Sequence, residues 1–221
     1  VGELLQDFES EEGETGPSLA VPHFETANHV LRKLALLEGH SEARRRRPGA
    51  LKILAGALSA IGRTQDARLA LEEGLSAARD LTNLAGTELV GRQYEAVLLG
   101  SLANMARAEG NLELARPFGE ESLQIAQQLI DETGDLDSYG DELSAAYGRL
   151  GSLELAEGSL DDAMEFFLAD VAICERLYGS ASSTGWQRDR VVQSLRNLAA
   201  ATLRRGDAAE ALKLSEKAVG I

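Results

Sequence analysis

Four glycines stand at a constant spacing of 48 residues along this sequence, and this regularity leaves few possible folds. They are Gly62, Gly110, Gly158 and Gly206. The position eight residues before each of them is always leucine, and the position five residues after each is always alanine. Self-similarity at a fixed period of this length is typical of arrays in which every repeat packs on its neighbours.

Each repeat reads as two helices that meet at its glycine. In the first repeat, Leu51, Leu54 and Leu58 follow the helical period toward Gly62. A glycine just past the last periodic residue ends a helix, because it adopts positive φ without steric cost. A second helix then begins at once, since three of the four glycines precede good N-cap residues. These are Asn111, Ser159 and Asp207, whereas Arg63 breaks the column.

The repeated pattern consists of a large residue, a leucine three residues later, a small residue, the glycine and the alanine. This pattern resembles the tetratricopeptide repeat family. It is most complete in YGRLGSLELAEGSLDDAMEFF (147–167), and the resemblance covers about residues 49–221. The period departs from the family's usual ~34 residues, and the family's proline near the repeat end is missing. The resemblance implies an all-α solenoid of antiparallel helix hairpins in a right-handed superhelix, with the first helices lining a concave groove.

The repeats divide the chain into an acidic tail and one solenoid domain. Residues 1–16 are rich in Glu and Gly and are predicted to form a flexible tail. Residues 17–221 are predicted to form a single domain, with a half repeat over 17–48 followed by four 48-residue units centred on the four glycines. By the same period, Ala27 and Val30 should lie in the apolar columns of the half repeat. No polar capping helix is visible after the last unit, which favours a segment of a longer protein or self-association.

Composition and charge argue against several classes of function. Helix-forming residues dominate, with aromatic residues at 5% and only four prolines. The formal net charge of −14 opposes non-specific binding to nucleic acids or anionic membranes, which attract cations. No apolar run approaches the ~20 residues of a membrane span. The single cysteine, Cys174, allows no intrachain disulfide, and we predict a reducing, cytoplasmic location.

No set of residues in the sequence matches a catalytic or metal-binding pattern. The histidines His23, His29 and His40 form no metal-type pair, and Cys174 falls in a column of small residues that predicts burial. The acidic stretch DETGDLDSYGDE (131–142) fails the calcium-loop pattern and is predicted to be a solvated loop between repeats. We therefore predict no enzyme activity, no cofactor and no bound metal.

The run EARRRR (42–47) is the most positive stretch of the chain and directly precedes Pro48. Proline favours the first position of a helix, and four cations at a helix N-terminus oppose the helix dipole. We therefore predict that the arginines lie in a loop, or on a short separate turn, before a helix that begins at Pro48. Two roles remain open for them: pairing with the acidic tail, and binding of a phosphate or an acidic partner.

The run GWQRDR (185–190) contains the only tryptophan of the chain, Trp186, beside several charged residues. Thr184 and Gln187 have the spacing of a capping box, which predicts that a first helix begins here. We interpret the run as a helix opening in which Trp186 packs on the preceding hairpin, rather than as a binding site.

The candidate binding site lies on the face of each first helix that points away from the hairpin core. Six such positions in each of four units give 24 positions, and none is acidic although the chain has 36 acidic residues. The residues proposed for binding are Lys52, Asn104, Arg107, Arg149, Arg196, Asn197 and Arg204. Arginine suits carboxylates because its guanidinium donates two parallel hydrogen bonds. The alternative is that these cations pair with acids on the second helices of the same chain.

These observations predict a protein–protein interaction module that binds an acidic peptide or partner protein in a basic concave groove. Such a module fits a scaffold segment of a larger bacterial protein. Two alternatives remain open: a self-assembly module whose array ends stack between chains, and a regulatory segment of a larger multidomain enzyme.

Overall fold

The computed structural model of the chain describes residues 16–37, 41–178 and 185–221. Within these ranges the chain forms nine helices and no strand. The helices are α1 (Gly16–Ala35), α2 (Ser41–Ala60), α3 (Thr64–Thr82), α4 (Glu88–Ala108), α5 (Leu112–Thr133), α6 (Leu136–Glu157), α7 (Leu160–Tyr178), α8 (Gly185–Arg204) and α9 (Ala208–Val219). Helices that follow each other in the chain pack together, as α2 does on α3 and α6 on α7. This confirms the predicted all-α solenoid of helix hairpins.

The chain divides into two compact units, Val1–Ser101 and Leu102–Ile221. The first unit holds α1, α2, α3 and the larger part of α4, and the second holds the end of α4 and the helices α5 to α9. We call α2, α4, α6 and α8 the first helices, and α3, α5, α7 and α9 the second helices. The expectation of one solenoid domain over 17–221 stays a prediction.

The helices end at glycines with positive φ, as the sequence predicts. The four repeat glycines have φ between 77° and 97°: Gly62, Gly110, Gly158 and Gly206. Two further glycines, Gly86 and Gly134, have φ of 79° and 68° and end the turns between repeats. Each lies 24 residues after a repeat glycine, a regularity that the sequence analysis missed. The caps also agree, because Asn111 accepts a hydrogen bond from the Leu114 amide at 3.0 Å and Arg63 provides no side-chain cap.

The core of the first unit lies between α2 and α3. Leu51, Leu54 and Leu58 of α2 are buried there, with Leu71 and Leu75 of α3. Removing each such side chain from water stabilises the fold by roughly 1.5–3 kcal/mol. The opposite face of α2, from which the candidate residues project, is mostly exposed.

The core of the second unit is continuous through α7 and α8. Phe167 and Val171 of α7 are buried in one cluster with Val191, Leu195 and further residues of α8. Gly151 of α6 makes this packing possible, since a Cβ there would lie 2.7 Å from the Phe167 ring. Cys174 is fully buried in the same cluster, which confirms its predicted place in an apolar column.

The half repeat forms the predicted helix, but its register is shifted by one residue. Ala27 and Val30 are exposed, and the half-buried residues are Asn28 and Leu31 instead. The helix α1 ends at Ala35, one residue later than the period of 48 places it relative to Thr82. The prediction for Ala27 and Val30 was therefore wrong, because the strict period does not extend across the link from α1 to α2.

The arginine run lies inside a helix, not before one. The helix α2 begins at Ser41 and continues through Pro48, which is buried in its third turn. The arginines are tolerated because each finds an acceptor. Arg46 pairs with Glu42 at 2.7 Å, and Arg44 donates to the Ala35 carbonyl at 2.8 Å. The predicted helix start at Pro48 was wrong, because these long-range acceptors outweigh the unfavourable helix dipole.

The acidic stretch 131–142 is also mostly helical. The helix α5 ends at Thr133 and α6 begins at Leu136, so the predicted loop shrinks to two residues, Gly134 and Asp135. Asp135 caps α6 by accepting from the Ser138 amide at 3.0 Å. Its carboxylate has a pKa below the ordinary value because of hydrogen bonds from Ser138.

Several predictions fall outside the described residues. The acidic tail up to residue 15, His40, the cap at Thr184 and the packing of the Trp186 side chain all belong to this group. The helix opening at GWQRDR is confirmed, since α8 begins at Gly185. His23 and His29 are exposed on α1.

Candidate functional site

Six of the seven predicted binding residues belong to the second unit, where they lie on three first helices. Asn104 and Arg107 are on the last two turns of α4, and Arg149 is on α6. The helix α8 carries the other three. We call this set the basic face: Asn104, Arg107, Arg149, Arg196, Asn197 and Arg204. Lys52 is exposed on α2 in the first unit and is treated apart from the basic face.

A small pocket brings three members of the basic face together. Asn104, Arg107 and Arg149 line it, and its apolar wall is formed by five residues: Ala103, Ala115, Gly119, Leu150 and Leu153. Its volume of about 10 Å³ has room for one water molecule. The pocket therefore can seat a terminal atom group, such as one carboxylate oxygen, whereas a whole residue of a ligand would have to lie outside it.

Arg149 is the most buried cation of the basic face. One of its terminal nitrogens, Nη2, donates to Ser122 Oγ at 3.2 Å, and its Nε is buried without a hydrogen-bond partner among the described residues. Burial lowers the pKa of Arg149 to about 10, and the positive charge of Arg190 lowers it further. No carboxylate of the described residues forms an ion pair with it. The guanidinium is thus held in a partly dry environment with unused capacity to donate.

The exposed cations of the basic face also lack acceptors from the chain itself. Within the described ranges, Arg107, Arg196 and Arg204 make no ion pair and no hydrogen bond, and the same holds for Lys52. The acids nearest in kind are engaged elsewhere: Arg116 of α5 binds Glu154 and Glu157 of α6 at 2.7 and 2.6 Å. The pairing of these cations with second-helix acids, which the sequence left open, does not occur among the described residues.

The amide side chains of the basic face differ in their contacts. Asn197 accepts a hydrogen bond from Gln193 Nε2 at 2.9 Å, one turn earlier on α8. Asn104 is exposed at the mouth of the small pocket. Both amides can add donors beside the guanidinium groups.

A buried polar cluster in the second unit escaped the sequence analysis. Ser144 of α6 donates to Asp170 Oδ1 of α7 at 2.5 Å and accepts from Arg190 Nη2 of α8 at 3.0 Å. Its Oγ also lies 3.0 Å from Cys174 Sγ. One signal was present, since Asp170 stands in a column otherwise filled by Gly74, Ser122 and Ala218. A charged residue in a column of small residues predicts a buried polar contact.

The electrostatics of this cluster argue for a structural role. Burial raises the pKa of the Asp170 carboxyl above its ordinary value, with partial opposition from the Ser144 hydrogen bond and Arg190. Burial likewise raises the pKa of the Cys174 thiol. A thiol held in its protonated form is a poor nucleophile. Among the described residues no group of His, Cys, Asp and Glu side chains could hold a metal ion.

The helices of the described ranges were also compared with the requirements of a membrane span. None combines sufficient length with sufficient apolar character.

Comparisons with known proteins point to one repeat family. The tetratricopeptide repeat model matches residues 191–221. In sequence, the chain matches no curated protein. Its fold is similar to the nearly identical TPR-like repeats of a Podosopora anserina protein described as a kinesin light chain, with a TM-score of 0.57 and 20% identity over 93% of this chain and 86% of that one. It is also similar to BtubC (BKLC) from P. vanneervenii, with a TM-score of 0.53 and 16% identity over 93% and 90% of the two chains.

Proposed function

Because this chain is a repeat array of the tetratricopeptide type, we propose that its second unit binds an acidic peptide segment of a partner protein on the basic face. Repeats of this type generally mediate protein–protein interactions and are generally non-catalytic. The finer assignment concerns the chemistry of the partner. It rests on the charge of the basic face and on the acceptors that this face lacks.

The observation that carries the proposal is the set of cations without intramolecular acceptors. Arg107, Arg196 and Arg204 are exposed and have no partner in the described ranges. Arg149 adds a half-buried guanidinium with a free donor beside the small pocket. A peptide with several carboxylates would supply acceptors to these groups, and charge-assisted hydrogen bonds are about twice as strong as neutral ones.

The test compares one charge reversal on the basic face with a matched reversal elsewhere. The probe is a fluorescein-labelled decapeptide of glutamate, with a glutamine decapeptide as its neutral counterpart. Arg196→Glu should weaken glutamate-peptide binding by roughly tenfold or more, because it loses a charge-assisted bond and gains repulsion. Arg176→Glu is the control, since Arg176 is an exposed arginine on the second helix α7 of the same unit. Binding is measured by fluorescence anisotropy at low and high salt.

Two outcomes would contradict the proposal. The first is equal weakening by the two reversals, which would point to net charge instead of the basic face. The second is equal affinity for the glutamate and glutamine peptides, which would remove the acidic partner. Circular dichroism of each variant checks that the helices are intact.

A second candidate function is self-association through α9. Leu212 and Val219 lie seven residues apart and so share one face of this helix, with 60% and 88% of their surfaces exposed. Two such residues on one face favour contact with a second copy of the chain. Light scattering over a concentration series tests this: a mass that grows with concentration and falls back in Leu212→Gln supports it, and a constant monomer mass rejects it.

A further inference from the structure

The largest cavity among the described residues lies in the first unit and is unrelated to the basic face. It has a volume of about 420 Å³ and lies at the end of α1, the N-terminal half of α2 and the end of α3. Its lining consists of Arg32, Ala35, Leu36, Arg44, Arg47, Ala77, Asp80, Leu81 and Leu84. Sites for small molecules usually measure ~300–1,000 Å³, so this cavity is of a suitable size.

Three arginines converge on this cavity from two helices. Arg44 uses its Nε for the Ala35 carbonyl, which leaves its terminal nitrogens without a partner in the described ranges. Arg47 pairs with Glu73, and its Nε is buried with no hydrogen-bond partner there. Arg32 of α1 makes no contact of either kind within those ranges. All three guanidinium groups therefore keep donors for a ligand.

The charge of the lining selects the class of ligand. Against three arginines stands one acid, Asp80, which has no ion pair in the described ranges. The lining thus carries a net charge of +2, from three cations and one anion. A phosphate monoester carries about −1.5 to −2 near neutral pH and offers three acceptor oxygens. A carboxylate offers one negative charge and two oxygens, so it would satisfy fewer of the donors.

The remaining walls of the cavity are apolar. Leu36, Leu81 and Leu84 line it together with two alanines. An apolar wall beside a cationic one suits a molecule with an anionic head and an apolar body. We propose that this cavity binds a small-molecule phosphate monoester, with the phosphate on Arg32, Arg44 and Arg47 and the apolar body on Leu81 and Leu84. This gives the arginine run a ligand-binding role that is separate from peptide binding by the second unit.

The experiment uses phenyl phosphate as the probe and three single substitutions. Isothermal titration calorimetry at fixed ionic strength should show tighter binding of phenyl phosphate than of inorganic phosphate or benzoate. Arg32→Gln should weaken binding roughly tenfold to hundredfold, the loss typical of a charge-assisted contact. Asp80→Asn should tighten it, because it removes the one repelling charge of the lining.

The matched control is Arg46→Gln. Arg46 belongs to the same arginine run, but its side chain is 69% exposed, pairs with Glu42 and does not line the cavity. It removes the same charge as Arg32→Gln and should leave the affinity unchanged. Equal weakening by the two substitutions, or equal binding of benzoate and phenyl phosphate, would overturn the proposal.

A last arm separates the two sources of a phosphate monoester. A short phosphoserine peptide is titrated against the same protein. Weaker binding than phenyl phosphate supports a small molecule, because the cavity has no described channel for a peptide backbone. Tighter binding of the peptide would overturn the small-molecule assignment in favour of a phosphorylated protein. Neither result depends on the glutamate-peptide experiment, which probes the other unit.

Discussion

Arg149 is the residue of the basic face whose charge costs the fold most. It is half-buried, and burial lowers its pKa to about 10, whereas Arg107 lies in solvent nearby. A cation without a carboxylate partner in such a place destabilises the folded state. Stability given up at a position that contacts no core partner is typical of residues kept for function.

Replacing Arg149 should therefore separate stability from binding. We expect Arg149→Met to raise the free energy of unfolding by about 1 kcal/mol, because it removes a poorly solvated charge and keeps the aliphatic length. The same variant should weaken glutamate-peptide binding. Arg107→Met, on an exposed side chain, should change stability by less than ~0.5 kcal/mol. Urea unfolding measures both, and a loss of stability in Arg149→Met would mean that the Ser122 bond is structural.

Asp170 makes a prediction about pH. Its pKa is raised chiefly by burial, so the folded chain holds a proton at Asp170 more readily than the unfolded chain does. The stability contributed by this group is complete below the unfolded pKa of ~3.9 and is lost as pH rises through the raised folded value. Asp170→Asn does not titrate. Its stability relative to the original chain should therefore increase between pH 4 and pH 7 in urea unfolding, and a pH-independent difference would contradict this.

At the scale of the helix, neighbouring elements match by trading bulk between facing columns. Phe167 of α7 fills the space that Gly151 of α6 leaves open. In the preceding unit the corresponding residues are Gly119 and Ala103, so the bulk is distributed differently. Gly119 in turn lies against Leu150, where a Cβ would come within 2.9 Å of a methyl group. The close approach of α5 and α7 to α6 thus depends on one glycine at each contact.

Two glycine substitutions test this matching. Gly151→Ala should lower the free energy of unfolding by about 1–2 kcal/mol, because overpacking against Phe167 outweighs the helix propensity of alanine. Gly56→Ala is the matched control, since α2 places nothing within 4 Å of a Cβ there. It should raise the melting temperature, with a gain of about 0.5–1 kcal/mol. Melting shifts of the same sign in both variants would show that packing at Gly151 tolerates the methyl group.

At the scale of the whole molecule, the sign of the net charge and the sign of the basic face are opposite. The chain carries a formal charge of −14, while the 24 outward positions of the first helices contain no acid. Self-repulsion of a large net charge destabilises a compact state and is screened by salt. Attraction between exposed cations and an acidic ligand is screened by the same salt.

Salt should therefore act in opposite directions on folding and on binding. Between about 10 and 300 mM sodium chloride, we expect the melting temperature to rise and the affinity for the glutamate peptide to fall. Thermal unfolding and fluorescence anisotropy in the same buffers measure the two effects. A melting temperature that falls with salt would mean that ion pairs such as Arg116–Glu154 matter more than the net charge.

The periodic features of the molecule could be predicted from the sequence, and the non-periodic ones could not. Helix ends at Gly110 and Gly158 and the burial of Cys174 recur with the column pattern, so each is supported several times over. The start of α2 depends on acceptors brought from other helices, such as Ala35 and Glu73. Local propensity contains no information about such acceptors, and it favours a later start.

The candidate site divides in the same way. The placement of Arg196 and Arg204 on an exposed first-helix face follows from helical geometry alone. The burial of Arg149 does not, because it arises from the contact of α6 with both α5 and α8. The link between Ser144, Asp170 and Arg190 joins three helices, and only the column break at Asp170 hinted at it.

The positive-φ glycines have a consequence for how such a gene can change. Five of them, from Gly62 to Gly158, follow one another at 24 residues, so turns within and between hairpins use one backbone solution at equal intervals. A tandem duplication of 48 codons that starts anywhere in this stretch would therefore add a complete hairpin with every turn and column in register. Recombination between copies could lengthen or shorten the array in single steps, without an intermediate whose helices fail to match.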